Sequence, residues 1–314
     1  MVICLLDSGQ FVSDPALLDP LRALGEVRVF SGLPATEDEL VERASGADVV
    51  AWCITQIPDS ALDRLPKLRL LQFIGTGMWN FVNVDYANKK GVRCLNIDAY
   101  GSNAVAEFAV SLTMALLRNI VPAAQRIRQR LWDMDGLGGR EIASSTVGVI
   151  GTGSIGKLVA RKFLGLGAKV IAHDIFENEE LKAKGVEYVS VEELFRRADV
   201  ITIHMKATPE NVGFVSAKLL ALMKPDAVFI NVSRAELVDG KALYEALSEK
   251  RIGGAAVDVY EGEPLNDDDF RLVSLPNVIG TPHIGFYTGQ SNDNAVRLSV
   301  ESIVRALTDG NASL

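Results

Sequence analysis

Cysteines, basic charge and long apolar runs are all scarce in this sequence, and each scarcity excludes a class of protein. The 314 residues include only 3 cysteines (Cys4, Cys53 and Cys94), which lie far apart and have neither metal-site spacing nor a disulfide framework. Reduced thiols in a cytoplasmic protein fit this pattern best. Lysine and arginine number 32 against 40 aspartate and glutamate residues, which gives a net charge of -8. Partners such as nucleic acids and acidic membranes are therefore not expected.

Apolar stretches long enough to cross a membrane are missing. The chain starts with a short apolar run and no basic segment, a pattern that does not predict a signal peptide. The most apolar long stretch, residues 108–117, is too short for a bilayer and predicts a buried helix. Hydrophobic residues make up 48% and charged residues 23%, so a disordered or fibrous chain is excluded. At roughly 100–200 residues per domain, the length predicts two domains.

Strand-like and helix-like segments alternate through the first hundred residues. Short apolar strands are predicted over residues 2–6, 27–30, 49–54 and 68–74. Helices are predicted between them, over residues 15–24, 38–44 and 59–65. Such alternation favours a parallel sheet with helices on both faces. One long helix over residues 102–130 follows, and it is a candidate for a domain boundary or a subunit contact.

The alternation then restarts more strongly. Strands that are apolar on both faces are predicted over residues 146–150, 169–172, 186–189, 200–204, 227–232, 254–259 and 278–280. Helical segments, such as residues 156–166 and 241–248, separate most of them, and a last helix is predicted over residues 292–307. The sequence therefore predicts two similar α/β units.

A glycine-rich loop of the form G-x-G-x-x-G follows the strand at residues 146–150 and opens a helix. Gly151 permits a tight turn, Gly153 lets the backbone approach a pyrophosphate, and Gly156 lets the helix pack closely on the sheet. Asp174 ends the next strand, at the distance where an acid binds ribose hydroxyls and disfavours a 2′-phosphate. A tight turn without a ligand and the adenosyl site of a methyltransferase are the alternatives. The full spacing favours a dinucleotide.

Three ionisable residues of different type follow three successive strands. Arg234 follows the strand at 227–232, Glu263 lies beyond the strand at 254–259, and His283 comes just after the strand at 278–280. Each taken alone has a structural interpretation, as a surface ion pair, a solvated acid or a turn histidine. Because parallel strands end at one edge of a sheet, where ligands bind, we expect the three to converge.

The chemistry of this set is that of hydride transfer to a carbonyl. An imidazolium donates a proton, and a neighbouring carboxylate stabilises and orients it. A guanidinium holds a substrate carboxylate and stabilises the developing alkoxide.

With these residues in place, the sequence resembles the D-isomer-specific 2-hydroxyacid dehydrogenases. The matching segments are Val149-Ile-Gly-Thr-Gly-Ser-Ile-Gly156, Asn231-Val-Ser-Arg-Ala-Glu-Leu-Val-Asp239, Gly254-Ala-Ala-Val-Asp-Val-Tyr-Glu-Gly-Glu-Pro264 and Thr281-Pro-His-Ile-Gly285. Asn103-Ala-Val-Ala-Glu-Phe-Ala109 is similar to the family's interdomain helix. The resemblance runs from about Asp7 to the C-terminus.

The resemblance implies a fold, a cofactor and a catalytic set. It implies two doubly wound parallel-sheet domains, with a central Rossmann NAD domain (99–286) inserted in a flavodoxin-like substrate domain (1–98 and 287–314). It also implies a homodimer, an active site in the cleft, and Arg234, Glu263 and His283 as the catalytic residues. The residues that it implies for NAD are Gly151, Thr152, Gly153, Ser154, Ile155, Gly156, Asp174, His204, Thr208, Val232, Ser233, Arg234, Asp258 and His283. No metal is implied.

The substrate side is carried over in the same way. In similar enzymes, the backbone N–H groups of the loop Gly75-Thr76-Gly77 bind the substrate carboxylate opposite the arginine. Trp79 stands where many relatives have an aspartate, and Phe286-Tyr287-Thr288 resembles the D-lactate dehydrogenase branch. The substrate residues implied are therefore Gly75, Thr76, Gly77, Trp79, Arg234 and Tyr287. The aromatic residues either form a partly apolar pocket or pack the hinge.

Two departures from relatives bear on specificity. Phosphoglycerate-using relatives carry an arginine in the segment where this chain has Trp52-Cys-Ile-Thr55, which argues against 3-phosphoglycerate as the substrate. Lys206 stands where relatives often have proline, and it leaves NADP open, although Asp174 opposes it. We expect an NAD-dependent enzyme that interconverts a small 2-oxo acid and its D-2-hydroxy acid. The alternatives are an NAD(H)-sensing, corepressor-like binding protein and a glyoxylate or hydroxypyruvate reductase.

Overall fold

The computed structural model describes residues 1–308, and its contacts divide the chain into two compact units. The first unit is Met1–Gly101 together with the segment that begins at Tyr287, and the second unit is Ser102–Phe286. Each unit is built on a parallel sheet of its own, with five strands in the first and seven in the second. The predicted pair of parallel α/β domains is confirmed.

The strands and helices are numbered along the whole chain. The strands are β1 Val2–Leu5, β2 Glu26–Val29, β3 Val49–Trp52, β4 Leu70–Phe73, β5 Arg93–Leu95, β6 Thr146–Ile150, β7 Lys169–His173, β8 Glu187–Tyr188, β9 Val200–Ile203, β10 Val228–Asn231, β11 Gly254–Val257 and β12 Val278–Gly280. The helices are α1 Asp19–Arg22, α2 Glu37–Arg43, α3 Asp59–Asp63, α4 Val84–Lys89, α5 Ser102–Leu117, α6 Ile120–Arg128, α7 Gly156–Gly165, α8 Glu179–Ala183, α9 Val191–Arg197, α10 Ala217–Leu220, α11 Gly240–Ser248, α12 Asp267–Val273 and α13 Gly289–Thr308.

The first unit has the strand order β2-β1-β3-β4-β5, with every pair parallel. Alternate residues of β3 enter different cores: Val50 and Trp52 pack on one face, Val49 and Ala51 on the other. Helix α13 covers the second face. This is the 2-1-3-4-5 order of flavodoxin-like sheets, which bind ligands where neighbouring strands diverge in their connections.

A buried carboxylate ties two strand ends of the first unit together. Asp7 follows β1 and is fully buried, and it accepts hydrogen bonds from the N–H groups of Cys53, Ile54 and Thr55 at 2.8, 3.0 and 2.8 Å. The Thr55 hydroxyl donates to it as well, at 2.7 Å. These bonds hold the segment after β3 in a fixed conformation, because a buried carboxylate must be satisfied by donors.

The second unit has the strand order β12-β11-β10-β9-β6-β7-β8, again with every pair parallel. Helices α5 and α7 close one core, and α9 to α12 close the other. The central strands are buried on both faces, as their apolar sequences predict. The connections reverse direction between β6 and β9, and such a switch point is where ligands bind in open α/β sheets.

The helix predicted over residues 102–130 is wrong as one element, because the chain breaks at Asn119. Asn119 adopts left-handed backbone angles (φ 51°, ψ 38°), which interrupt the helical hydrogen bonds between α5 and α6. Pro122 lies near the start of α6, where its missing N–H costs little. Among residues 1–308 no single helix is long and apolar enough to cross a membrane. Helices α5 and α6 taken together have the required length and composition, but they are bent by 63° where they meet.

Other elements differ in extent from the prediction. The predicted helix at 15–24 is a 3₁₀ turn, Pro15–Leu18, followed by the short α1, because Pro15 and Pro20 restrict a regular helix. The predicted strand at 186–189 is reduced to the two residues of β8 at the sheet edge. Strand β5 was not predicted, since its three residues Arg-Cys-Leu lack a clear apolar pattern.

Candidate active site

The carboxyl edge of the seven-stranded sheet collects the charged residues and the glycine loop in one row. Along that edge lie His283 after β12, Glu263 after β11, Arg234 after β10, His204 after β9, the loop Gly151–Gly156 after β6 and Asp174 after β7. The order follows from the parallel pairing of the strands, which brings residues that are distant in sequence to one edge.

His283 and Glu263 form a hydrogen-bonded pair in this row. The ring Nδ1 of His283 lies 2.9 Å from Oε2 and 3.0 Å from Oε1 of Glu263. The hydrogen bond with His283 lowers the pKa of Glu263 against the opposing effect of partial burial, so the carboxylate stays ionised at neutral pH. The side chains are 39% and 45% exposed, which leaves the pair accessible to a ligand.

The loop that carries His283 is anchored to the strand beside it. Asp258, buried at the end of β11, accepts hydrogen bonds from the Thr281 hydroxyl at 2.6 Å and from the N–H groups of Ile284 and Gly285 at 3.0 and 2.8 Å. His283 itself has a left-handed φ of 52°, a conformation that such anchoring must maintain. Asp258, predicted as an NAD contact, uses its carboxylate here to shape the histidine loop.

Tyr260 provides a second anchor for the same loop. Its hydroxyl donates to the carbonyl of Thr281 at 2.9 Å, and its own N–H points to Oε1 of Glu263 at 3.4 Å. Burial raises the pKa of Tyr260 to about 12, so the hydroxyl keeps its proton as a donor. Tyr260 therefore contacts both the loop that carries His283 and the carboxylate of Glu263.

Arg234 is positioned by polar contacts of its own segment. It precedes the 3₁₀ turn Ala235–Leu237, and the Asn231 side chain donates to the Arg234 carbonyl at 2.9 Å while accepting from the Ser233 N–H at 3.0 Å. A guanidinium N–H of Arg234 donates to the Ser233 carbonyl at 2.8 Å. The positive charge of Arg234 also contributes to the lowered pKa of Glu263.

The glycine loop has the shape that a pyrophosphate requires. Gly151 has a φ of +82°, and a Cβ built on Gly156 would lie 1.8 Å from the Gly151 carbonyl oxygen, so neither position tolerates a side chain. A Cβ on the exposed Gly153, in contrast, would meet nothing within 4 Å. Thr152 is buried and Ser154 exposed, and half-buried Ile155 precedes the first residue of α7. This geometry leaves backbone open at a helix start.

Asp174 follows β7, the strand next to β6, and is hydrogen-bonded to the glycine loop. Its Oδ2 accepts from the N–H and, at 3.0 Å, from the hydroxyl of Thr152, and its Oδ1 accepts from the Phe176 N–H at 3.2 Å. Burial opposes ionisation of this carboxyl, but these hydrogen bonds together lower its pKa. The Tyr188 hydroxyl, 2.9 Å from the Thr152 hydroxyl, completes the arrangement.

His204 forms the inner wall of the glycine loop. Its Nε2 lies 2.8 Å from the Thr202 hydroxyl, and burial lowers its pKa to about 3, which makes the ring neutral. A Cβ on Gly156 would lie 3.3 Å from the His204 Cβ, so the histidine packs directly behind the loop.

Three further positions predicted for NAD lie on the same edge. Thr208 begins the 3₁₀ turn Pro209–Asn211, and its N–H donates to the Asn211 side chain at 2.8 Å. Val232 is buried directly after β10. The Ser233 hydroxyl donates to the Met205 carbonyl at 2.7 Å, which joins the segments after β10 and β9.

These residues fit an NAD molecule. The open backbone at Gly153 accommodates a pyrophosphate, the start of the helix α7 supplies N–H groups, and the ionised Asp174 is an acceptor for ribose hydroxyls. Among residues 1–308, no three His, Cys, Asp or Glu side chains are grouped to hold a metal ion.

The residues predicted for the substrate in the first unit follow β4. Gly75 is buried against the ring of Phe73, Thr76 is half-buried, and Gly77 is buried at the start of the 3₁₀ turn Met78–Asn80. Trp79 lies in that turn and is exposed. Tyr287, also exposed, packs edge-on against Phe11 with ring centroids 6.1 Å apart. The five are thus divided between one loop and the start of the C-terminal segment.

Several residues that support the site are not among the predicted site residues. The side chains that contact predicted site residues and orient them are Tyr188, Asn231, Tyr260 and Thr281. All of them except Tyr188 lie inside the motifs quoted above, and for those three the position at a strand end was the available signal. Nothing in the sequence marked Tyr188, because its role depends on the pairing of β7 with β8.

Comparison with known proteins identifies the family. The sequence model of the D-isomer specific 2-hydroxyacid dehydrogenase NAD-binding domain matches residues 110–285. The chain belongs to this family. The matched range holds the glycine loop, Asp174, Arg234 and Glu263, and it ends two residues after His283.

Relatives of this dehydrogenase-family chain carry several descriptions. The D-3-phosphoglycerate dehydrogenase of Methanocaldococcus jannaschii is 37% identical over 302 residues, and the match covers 94% of this chain but only 57% of the relative. The aromatic 2-oxoacid reductase of Clostridium sporogenes is 39% identical over 237 residues, 71% of each chain. The D-lactate dehydrogenase structure from Escherichia coli is 30% identical with a TM-score of 0.86, and the match covers 99% of this chain and 98% of that one.

The family comparison confirms the predicted fold and cofactor class. The two parallel-sheet domains match those of the dehydrogenase structures, and the central domain is the family's NAD-binding domain. The dehydrogenase interpretation is favoured over the NAD(H)-sensing binding protein. The relatives differ in the acid that their descriptions name, so the family alone leaves the substrate open.

Proposed function

We propose that the protein interconverts a small, unphosphorylated 2-oxo acid and its D-2-hydroxy acid with NAD(H). The observation that carries this proposal is the hydrogen-bonded pair of His283 and Glu263, on the same sheet edge as Arg234 and the glycine loop. Family membership supports the reaction class.

His283 is proposed as the acid and base. Its Nδ1 is engaged by Glu263, so Nε2 is the ring nitrogen assigned to the substrate oxygen. The ionised Glu263 stabilises the protonated ring and fixes its orientation. Bound NADH supplies the hydride that the carbonyl carbon receives. In the oxidation direction, neutral His283 accepts the hydroxyl proton.

Arg234 is proposed to bind the substrate carboxylate and to stabilise negative charge on the carbonyl oxygen. A guanidinium suits both tasks because it presents several N–H donors in one plane and remains charged at all working pH values. Its backbone is fixed by Asn231, which reduces the cost of orienting the side chain. The N–H groups of Gly75, Thr76 and Gly77 are proposed as further ligands of the carboxylate.

The cofactor is proposed to be NAD rather than NADP. Asp174 is ionised next to the glycine loop, where its charge would repel a 2′-phosphate. The two residues that follow it, Ile175 and Phe176, are exposed and apolar and offer no cation to compensate such a phosphate. Lys206, the residue that leaves the cofactor preference open, is exposed beyond β9.

The substrate is proposed to lack a phosphate group. The end of β3 and the segment after it carry no basic residue: Trp52 and Cys53 are buried, and Ile54 is exposed. Its backbone is held by hydrogen bonds to the Asp7 side chain, which offers no cation for a phosphate. Exposed Trp79 and Tyr287 are proposed to line the pocket for the substrate's side chain, and they favour an apolar one.

A homodimer is also proposed. Helix α6 and the segment after it expose apolar side chains, with Trp132 94% and Met134 85% exposed and Ile127 and Leu131 beside them in sequence. Several exposed apolar residues in one short segment are typical of association surfaces. In sedimentation equilibrium, the protein should have the mass of two chains, and Trp132→Ser with Met134→Ser should produce monomers. The control Phe270→Ser, at another exposed aromatic residue, should leave the dimer intact.

A cytoplasmic location is proposed from the cysteine content. Burial raises the pKa of Cys4 and Cys53 to about 12, as expected for unreactive thiols. Fractionation of cells that produce the protein, followed by immunoblotting, tests this. Recovery in the soluble interior fraction is expected, and recovery in a secreted or membrane fraction would contradict it.

The reaction is tested by following NADH and NADPH absorbance with a panel of 2-oxo acids. Pyruvate, glyoxylate, hydroxypyruvate, 2-oxoisocaproate, phenylpyruvate and oxaloacetate cover small, polar, apolar and acidic side chains. Phosphohydroxypyruvate is included because a relative is described as a phosphoglycerate dehydrogenase. We expect turnover with NADH and an unphosphorylated acid. A clear preference for phosphohydroxypyruvate, or for NADPH, would contradict the respective part of the proposal.

A further inference from the structure

Asp269 is a buried carboxylate in a run of three aspartates. Asp267 and Asp268 are exposed at the start of α12, whereas Asp269 is only 8% exposed. Its oxygens accept three main-chain hydrogen bonds, from Glu261 at 3.3 Å, Gly262 at 2.9 Å and Asn266 at 3.2 Å. These donors belong to the loop that connects β11 to α12.

The three donors flank Glu263 on both sides. Glu261 and Gly262 precede it and Asn266 follows it, so the Asp269 carboxylate joins the segment before Glu263 to the segment after it. The loop is tight: a Cβ on Gly262 would lie 2.9 Å from both the Asn266 nitrogen and the Pro264 oxygen.

Helix capping explains only one of these three contacts, the bond from the Asn266 N–H. The Asn266 side chain already accepts the Asp269 N–H at 2.9 Å, as an N-cap residue does. The reciprocal bond, in which the Asn266 N–H donates to the Asp269 carboxylate, completes a capping box. The bonds to Glu261 and Gly262 lie outside the helix, and their effect is on the conformation of the Glu263 loop.

We propose that Asp269 is a positioning residue for the acid–base pair. Its carboxylate fixes the loop so that Glu263 reaches Nδ1 of His283. This inference rests on the proposed function, in which that pair transfers the substrate proton. The other charged or titratable groups that act on the pair or on neighbouring Tyr260 are Arg234 and Asp258.

Asp269→Asn is the sharpest substitution, because it keeps the size of the side chain and changes its donor pattern. An amide has one acceptor oxygen, and its NH₂ group would face a main-chain N–H. One loop bond is lost and the Glu263 carboxylate loses its fixed place. Asp267→Asn is the matched control, with the same chemical change two residues earlier at an exposed position.

The experiment combines kinetics with a readout independent of turnover. Steady-state NADH oxidation over a range of pH gives kcat and KM, and ¹H–¹⁵N spectra of the same protein report the ring nitrogens of His283. In Asp269→Asn, kcat should fall about tenfold, which is less than the roughly 10²–10⁴-fold that acid–base catalysis contributes as a whole, with little change in the KM for NADH. As the pH is raised, the reduction of the 2-oxo acid should be lost at a lower pH than in the unaltered protein. The His283 Nδ1 signal should move toward that of Glu263→Gln.

The outcomes separate this inference from the proposed function. A His283 signal and a pH profile that are the same in Asp269→Asn as in Asp267→Asn would overturn the inference, even with full turnover by the unaltered protein. A protein that turns over no 2-oxo acid would overturn the function, and the His283 signal would still decide the role of Asp269. If Asp269→Asn does not fold, Gly262→Ala disturbs the same loop from its other side and should give the same changes.

Discussion

His283 Nδ1 lies 2.9 Å from the Glu263 carboxylate, although 20 residues separate the two in sequence. Each follows one of two neighbouring parallel strands, β12 and β11, and each has its own set of anchors. Asp258 and Tyr260 hold the histidine loop, while Asp269 holds the glutamate loop. The pair is therefore preorganised, which is the condition for efficient proton transfer at a fixed distance.

Glu263→Gln should shift the pH dependence of the reaction. Because the pKa of Glu263 is lowered, its carboxylate is fully ionised above the ordinary value of 4.5. The stabilisation that it gives the protonated His283 ring is lost only as the pH falls through the lowered pKa. Without the carboxylate, the protonated ring of His283 is less stable and loses its proton more easily. As the pH is raised, the reduction of the 2-oxo acid should therefore be lost at a lower pH than in the unaltered protein. We expect kcat to fall about 10²-fold. An unchanged pH profile would exclude Glu263 as the partner of the acid.

Arg234→Lys should raise the KM for the 2-oxo acid and lower kcat together. A lysine keeps the charge but presents a single ammonium in place of a planar set of donors, so both carboxylate binding and charge stabilisation weaken. A loss of about 10²-fold or more in kcat/KM is expected. The control is Arg251→Lys, at a surface arginine 2.9 Å from Glu249. Equal kinetics of the two variants would remove Arg234 from the site.

Gly153→Ala should weaken NADH binding without unfolding the protein. The added Cβ meets no protein atom within 4 Å, and the space that it fills is where the pyrophosphate is expected to approach the backbone. Gly165→Ala, also without a neighbour within 4 Å and near the end of α7, is the matched control. Fluorescence titration should show at least about tenfold weaker NADH binding for the first variant only, with similar Tm values for both.

Asp174→Asn should change the preference between NADH and NADPH. The substitution removes the charge that opposes a 2′-phosphate and keeps the size of the side chain. The ratio of kcat/KM for NADPH to that for NADH should rise about tenfold. Glu177→Gln removes one charge from an exposed residue of the same loop and should leave the ratio unchanged. A constant ratio in Asp174→Asn would mean that another group selects the cofactor.

The sequence was sufficient to predict the sheet edge, because that edge depends on local patterns. Apolar strands that are followed by Gly151, Arg234 or His283 predict ligand-binding residues at strand ends whatever the details of packing. The strands buried on both faces, such as β9 and β10, were equally clear from composition.

The anchors of the site could not be predicted, because they depend on contacts between distant segments. Asp269 stands in a run of aspartates that has the pattern of a solvated helix start, and only the folded loop shows that it is buried. Asp7 gives no sign of its bonds to the segment after β3. The break at Asn119 was missed because a left-handed asparagine is chosen by tertiary packing rather than by apolar spacing.

The most direct measurement is NADH oxidation with the preferred 2-oxo acid by the unaltered protein and by His283→Ala, under saturating NADH. We predict turnover in the first and a kcat at least about 10²-fold lower in the second, with NADH binding retained because the glycine loop is unchanged. Equal kcat values in the two proteins would contradict the role of His283 as the acid–base residue.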